Sequence, residues 1–162
     1  MPRVAKAKDL PPFERVVADH GAAVLGFCAA KLGRERAEDC FQETMLAALR
    51  AYPQLRDPGA VRAWLFSIAA RKALDAQRAR ARAPEPREGL AGPAGVDGGP
   101  GRDDALWAQV GALPPKQREA VTLRYLADLT HAEIAGVMGT TEPATPRNVL
   151  EGPRRLRRER AR

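Results

Sequence analysis

Apolar residues recur at steps of three and four along most of this chain, the spacing of one face of a helix. Phe13, Val16, Val17, Val24, Phe27 and Cys28 make the first stripe, with His20 on the same line, and Gly33 ends it. Ala37, Cys40, Phe41, Thr44, Met45, Ala48, Leu49 and Tyr52 make the second, stopped by Pro53. Val61, Trp64, Leu65, Ile68 and Ala69 open a third, which runs on into Arg71, Lys72, Arg78, Arg80 and Arg82. The stretch from Pro53 to Ala60 between them is rich in turn formers. No segment alternates with period two, so no strands are expected.

The helical pattern breaks and then resumes. Between Ala83 and Arg102 stand Pro84, Pro86, Pro93, Pro100 and six glycines, a composition that sustains neither helix nor core. Beyond it, Leu106, Trp107 and Val110 give a short apolar turn, and Pro114 or Pro115 suits the first position of a helix reaching about Leu126. Thr130 and Glu133 have capping-box spacing and open a short helix ending at Met138. Gly139 supplies a turn, and Thr141 can cap a further helix. A short helix, a glycine turn and a basic helix are the parts of a helix-turn-helix. The expected fold is all-α: a helical domain over 10–82, a flexible linker over 83–102, and a helix-turn-helix domain over 103–162.

Charge adds a class of partner. The 162 residues carry 27 Lys+Arg against 20 Asp+Glu, a net charge of +7. Most of the basic residues are arginine, whose planar fork suits phosphate and guanine. An anionic membrane or an acidic protein would also answer to a basic surface. The charge divides as +5 over 1–80, zero over 81–102 and +2 over 103–162, with Arg154, Arg155, Arg157, Arg158, Arg160 and Arg162 crowded at the end.

Other chemistry falls away. No stretch approaches the ~20 apolar residues of a membrane span. No apolar run follows the charged start, so no secretory leader is expected. Cys28 and Cys40 fall at core positions and form neither a disulfide framework nor a zinc set, which fits a reducing cytoplasm. His20 and His131 have no ligand partners at metal spacing. No phosphate loop, nucleophile–base pair or carboxylate dyad is present, so neither catalysis, metal nor cofactor is expected.

Three strings then matter together: Ala37-Glu-Asp-Cys-Phe-Gln-Glu-Thr-Met-Leu46, Val61-Arg-Ala-Trp-Leu-Phe-Ser-Ile-Ala69 with Leu74-Asp75 and Arg78, and Leu113-Pro-Pro-Lys-Gln-Arg-Glu-Ala120 with Ala132-Glu-Ile-Ala135. In this order, around such a linker, the chain resembles a bacterial extracytoplasmic-function (ECF) sigma factor. The resemblance implies a subunit that binds core RNA polymerase, through the β′ clamp coiled coil and the β flap, and directs promoter recognition and melting. It implies a monomer when free, with promoter DNA and an anti-sigma factor as further partners and no membrane contact.

The resemblance also assigns residues. Asp39, Gln42, Glu43 and Leu46 would bind the clamp; they share a helix face opposite Phe41 and Met45. The loop around Arg56 and Asp57, with Arg62, Trp64, Arg71, Lys72 and Arg78, would hold melted DNA at the −10 element. Trp64 reads as core first and as a base-stacking platform second. Asp75, between Arg71 and Arg78, reads as a carboxylate that orients them. Thr140, Thr141, Arg147, Asn148, Arg154 and Arg155 would meet the −35 element. The rival readings are a free-standing helix-turn-helix regulator, which leaves the Asp39 face without a role, and a sigma-like module whose main partner is an anti-sigma factor.

One stretch departs from the pattern. Pro146 falls inside the expected reading helix and Pro153 deeper still, and an interior proline costs about 3 kcal/mol. Either Thr145 caps a shortened helix with Pro146 first, or the helix kinks at Gly152-Pro153. We predict that replacing Pro146 by Arg and Pro153 by Leu raises both helicity and affinity for a promoter duplex. Circular dichroism and a mobility-shift titration read the two; no gain in either counts against a distorted helix.

Overall fold

The structure is a computed structural model, and it describes residues 10–82 and 109–139. Among the described residues every regular element is helical. The first region holds α1 (Phe13–Leu32), α2 (Arg34–Ala51) and α3 (Val61–Arg82); the second holds α4 (Pro115–Tyr125) and α5 (His131–Met138).

The local reasons are visible in the chain. Gly33 alone separates α1 from α2, at φ 84° and ψ 164°, a backbone conformation essentially restricted to glycine. Its N–H bonds the Ala29 carbonyl at 2.8 Å, so the chain reverses in one residue. Glu14 in the first turn of α1 and Lys31 in the last both oppose the helix dipole. Pro53 ends α2 by converting the chain to one 3₁₀ turn, Tyr52–Gln54. In the second region Pro115 starts α4, and Thr130 accepts the Glu133 N–H at 3.2 Å to start α5, as the capping box requires. Gly139 closes α5 at φ 65°.

Packing follows the stripes. Phe27 and Phe66 meet edge to face, centroids 5.7 Å apart, at the centre of the first region. Val24, Leu65, Ala69, Ala73, Cys40 and Ala48 close round them. Thr44 lies fully buried in this apolar setting; its hydroxyl donates to the Cys40 carbonyl at 2.7 Å, which removes the cost of burying it. Tyr52 donates to the Pro11 carbonyl and packs its ring edge-on to Phe13. Arg36 donates to the Ala76 carbonyl at 2.8 Å and Gln77 to that of Lys31 at 3.2 Å, which pins α3 to the α1–α2 corner. The outcome differs from the expected stripe at one position: Leu49 is 51% exposed. Its stripe is too wide for α2 to bury, since α1 and α3 already cover the Cys40, Thr44 and Ala48 line.

Distance along the chain does not become distance in space. Ala120, Leu123, Ala127, Leu129 and Ile134 belong to the same apolar core as Phe27, Leu65 and Phe66. A smaller cluster joins Ala30 of α1 to Val110, Leu113 and Val121, with Leu126 beside it. Thus α4 lies on α1 and α5 on α3. Gly26 shows how close the approach is: a Cβ placed there would stand 2.8 Å from Leu126 Cδ2. A glycine inside a helix costs about 1 kcal/mol against alanine, and here it makes room for the second region.

His20 borders a cleft of about 290 Å³ at this seam, with Asp19, Arg62, Phe66, Leu126 and Asp128. Burial, then the Arg62 charge, lower its pKa from the usual 6.5, against a smaller upward pull from Asp19. The folded chain therefore binds this proton less readily than the unfolded chain does. The stability that depends on neutral His20 is complete above about pH 6.5 and is lost as pH falls towards the lowered value. The urea midpoint should drop between pH 7.5 and 5.5, and His20→Gln should flatten that drop.

Candidate nucleic-acid interface

The outer face of α2 is built as the spacing requires. Asp39, Gln42, Glu43 and Leu46 are all exposed, while Phe41 and Met45 turn into the core. Leu46 is 54% exposed. With Leu49 it makes an exposed apolar pair at the C-terminal end of an acidic helix face.

The connection from α2 to α3 is held from within. Leu55 anchors it to the core, leaving Arg56 and Asp57 exposed. The Asp57 carboxylate accepts the Gly59 N–H at 2.9 Å and so caps the 3₁₀ turn Pro58–Ala60. A Cβ on Gly59 would crowd that carboxylate at 3.3 Å. Asp57 is thus first a brace for the loop. Trp64 is half-buried, packed against the core and 6.2 Å, centroid to centroid, from the Tyr52 ring.

The basic residues of α3 do not form one face. A helix turns about 100° per residue, so Arg71 and Arg78 share a line, Lys72 stands to one side, and Arg62 emerges on the opposite side from Arg71. Arg71 and Arg78 are exposed and Lys72 half-buried. The expected steering by Asp75 is absent: among the described residues Asp75 makes no ion pair with Arg71 or Arg78. All three are solvated, and an acid four residues after its base is the weaker orientation for a helical pair.

Arg62 instead faces the second region. Its guanidinium donates to the Asp128 carbonyl at 3.3 Å and pairs with that carboxylate at 3.6 Å, while Arg124 takes the other oxygen at 3.5 Å. On the α1 side, Lys31 and Glu119 form a 3.0 Å ion pair with side chains only 19% and 14% exposed. Arg118 donates to the Ala30 and Leu113 carbonyls, and burial lowers its pKa. Periodicity offered no sign of these residues; Gly26 inside a helix was the one available hint.

Thr140, Thr141, Arg147, Asn148, Arg154 and Arg155 lie outside the described residues, as do Pro146 and Pro153. The helix and the Gly139 turn that lead to them are formed as expected. Cys28 and Cys40 are buried and unbonded. A hydrogen bond to Cys40, with burial, pushes the Cys28 thiol up, and the same bond holds Cys40 below the usual thiol value. No group of three or more metal-ligating side chains is present among the described residues.

Comparison with known proteins agrees with this arrangement. The family model of sigma-70 region 2 matches residues 16–83 and that of sigma-70 region 4 matches residues 103–145. The two helical regions are thus of the sigma-70 class. The sigma factor ShbA of Streptomyces griseus is 32% identical over 140 residues, covering 74% of this chain and 72% of ShbA. The chain belongs to the extracytoplasmic-function family of RNA polymerase sigma factors. SigD of Mycobacterium tuberculosis is 37% identical over 136 residues, covering 75% of this chain; the chain spans 64% of the length of that relative. Among solved structures, RpoE of Bartonella quintana, crystallised with the anti-sigma factor NepR, has a TM-score of 0.71 at 19% identity, covering 90% of this chain and 94% of that one. CnrH, in complex with the cytosolic domain of CnrY, has a TM-score of 0.62 at 24% identity, covering 89% and 84%. These two likenesses concern the fold.

The brace in the loop has a direct test. Asp57→Ala should cost about 1 kcal/mol, the usual worth of a helix cap, and speed amide exchange at Gly59, while Asp57→Asn keeps most of both. Equal exchange in all three chains would remove the brace.

Proposed function

We propose that this chain is a promoter-specificity subunit: it binds core RNA polymerase, carries it to a promoter, and assists melting at the −10 element. The α2 face carries this reading. It presents Asp39, Gln42, Glu43 and Leu46 outward together, and the resemblance gives those residues the β′ clamp. Leu49, 51% exposed, adds apolar area beside Leu46 on the same end of the helix.

DNA contacts fall to the solvated cations. Arg56, Arg71, Lys72 and Arg78 would hold phosphates of the opened strand, and Arg62 would do so from the other side of α3. Trp64, half-buried beside Tyr52, is the aromatic candidate to meet an unstacked base. The second region would read the −35 element through the segment after Gly139, where Thr140, Thr141, Arg147, Asn148, Arg154 and Arg155 stand. An anti-sigma factor is a further partner on this reading, as NepR is for RpoE of Bartonella quintana. The chain would act without catalysis, metal or cofactor of its own, the chemistry belonging to the polymerase. No helix among the described residues is long and apolar enough to cross a membrane, which is compatible with work in the cytoplasm.

Pull-down with core polymerase tests the central claim. Asp39→Ala with Gln42→Ala should weaken capture by tenfold or more, on the order of the loss when several central contacts go. Truncation before residue 103 should leave capture largely intact. Failure of the intact chain to bind core would end the proposal.

A further inference from the structure

We propose that Cys28 and Cys40 form an oxidation site, at which a small hydroperoxide closes a disulfide that pins α2 to α1. The chain has two cysteines, and the fold brings both into one contact. They lie in the same apolar core, 0% and 3% exposed, and their thiols share a hydrogen bond across the two helices.

The helical hairpin makes this contact. Gly33 alone separates α1 from α2. Cys28 stands five residues before it and Cys40 seven after it, about 7.5 and 10.5 Å along their helices at 1.5 Å per residue. The two positions are therefore nearly level. Ala37 and Ala48 are buried on the same helix as Cys40, and such small side chains let α1 and α2 approach closely. Sulfurs already in hydrogen-bond contact are within side-chain rotation of the ~2.05 Å S–S bond.

The surroundings give the two sulfurs different roles. The Cys28 thiol first, then the Thr44 hydroxyl and the Arg36 guanidinium, hold Cys40 below the usual thiol value, against burial and the Glu43 carboxylate. Arg36 is fixed in place by its bond to the Ala76 carbonyl. Cys28 is pushed the other way, by its bond to Cys40 and by burial. Cys40 is thus the sulfur that reaches the thiolate, the form that attacks, and Cys28 is the neutral thiol beside it.

The steps balance. Cys40 gives up its proton and attacks one peroxide oxygen; the S–O bond forms as the O–O bond breaks, and the departing hydroxide takes a proton and leaves as water. The Cys28 sulfur then attacks the sulfenic acid. The S–S bond forms, the S–O bond breaks, and the Cys28 proton leaves with the hydroxyl as a second water. Two electrons pass from the two sulfurs to the peroxide. Both sulfurs lie beneath the surface, so the oxidant must be little larger than water, which a hydroperoxide is and oxidised glutathione is not. In a reducing cytoplasm the bond lasts only while the oxidant is present. It fixes the helix whose outer face carries Asp39, Gln42, Glu43 and Leu46.

The test treats the full reduced chain with hydrogen peroxide or with oxidised glutathione and maps peptides by mass spectrometry without reductant. Peroxide should yield a Cys28–Cys40 linked peptide from a chain that still runs as a monomer. Its Tm should rise by roughly 10 °C, the scale of a cross-link over so short a loop, and return on reduction. Cys28→Ala should stop at a Cys40 sulfenic acid that dimedone traps, while Cys40→Ala stays unmodified over the same time. Circular dichroism checks the fold of each; should either lose its helices, Cys28→Ser and Cys40→Ser carry the comparison.

Cysteines that stay reduced, gain oxygen without linking, link between chains or react with oxidised glutathione would overturn the site. Equal reactivity in the two single variants would overturn the division of roles. A Tm that does not rise would overturn the pin. None of these readouts involves polymerase, so the outcome stands apart from the sigma reading.

Discussion

The fold turns on one aromatic contact. Phe27 and Phe66 are both fully buried and meet at 90°, the quadrupole-favoured arrangement. Removing either ring from such a core typically costs 3–5 kcal/mol. The contact sets the spacing of α1 and α3, and α2 must then lie across both because Gly33 allows no slack. The outward pointing of Asp39, Gln42, Glu43 and Leu46 follows from that placement. So does the shelf on which α4 and α5 rest, since Leu123, Leu129 and Ile134 pack into the same core.

Much of this was legible because it is local. The helix stops at Gly33 and Pro53, the Thr130 cap, the Gly139 turn and the α2 outer face each depend on residues within one or two turns. The docking of the two regions was not legible. A proline- and glycine-rich stretch of sequence separates them, and nothing in periodicity says that Ala120 and Ile134 continue the stripe of Phe27. Leu49 was misassigned for a related reason: a stripe shows which residues could be buried, and the neighbouring helices decide how wide a band they cover. The Arg71–Asp75–Arg78 triplet had suitable spacing but no burial to make pairing worthwhile.

The arginines of α3 show how the same residue type serves two environments. Arg62 lies where two helical regions meet, within reach of a carboxylate and near His20. Arg71 and Arg78 lie on the far side, in water. A count of basic residues treats them alike, yet the first is tied to the relation between regions and the others are not. The basic residues along α3 thus resolve into a surface pair and a cation at a seam.

The end of α3 is unlike the rest of the molecule. After Ala73 no residue of this helix is buried, although it continues to Arg82. Its helicity there comes from good helix formers, Ala, Gln and Arg, set against repulsion among Arg78, Arg80 and Arg82. These last turns are a short polyelectrolyte rod, whose order depends on counterions. A polyanion laid along these turns would relieve that repulsion. The first region thus ends in turns whose charge, more than their packing, decides what they can meet.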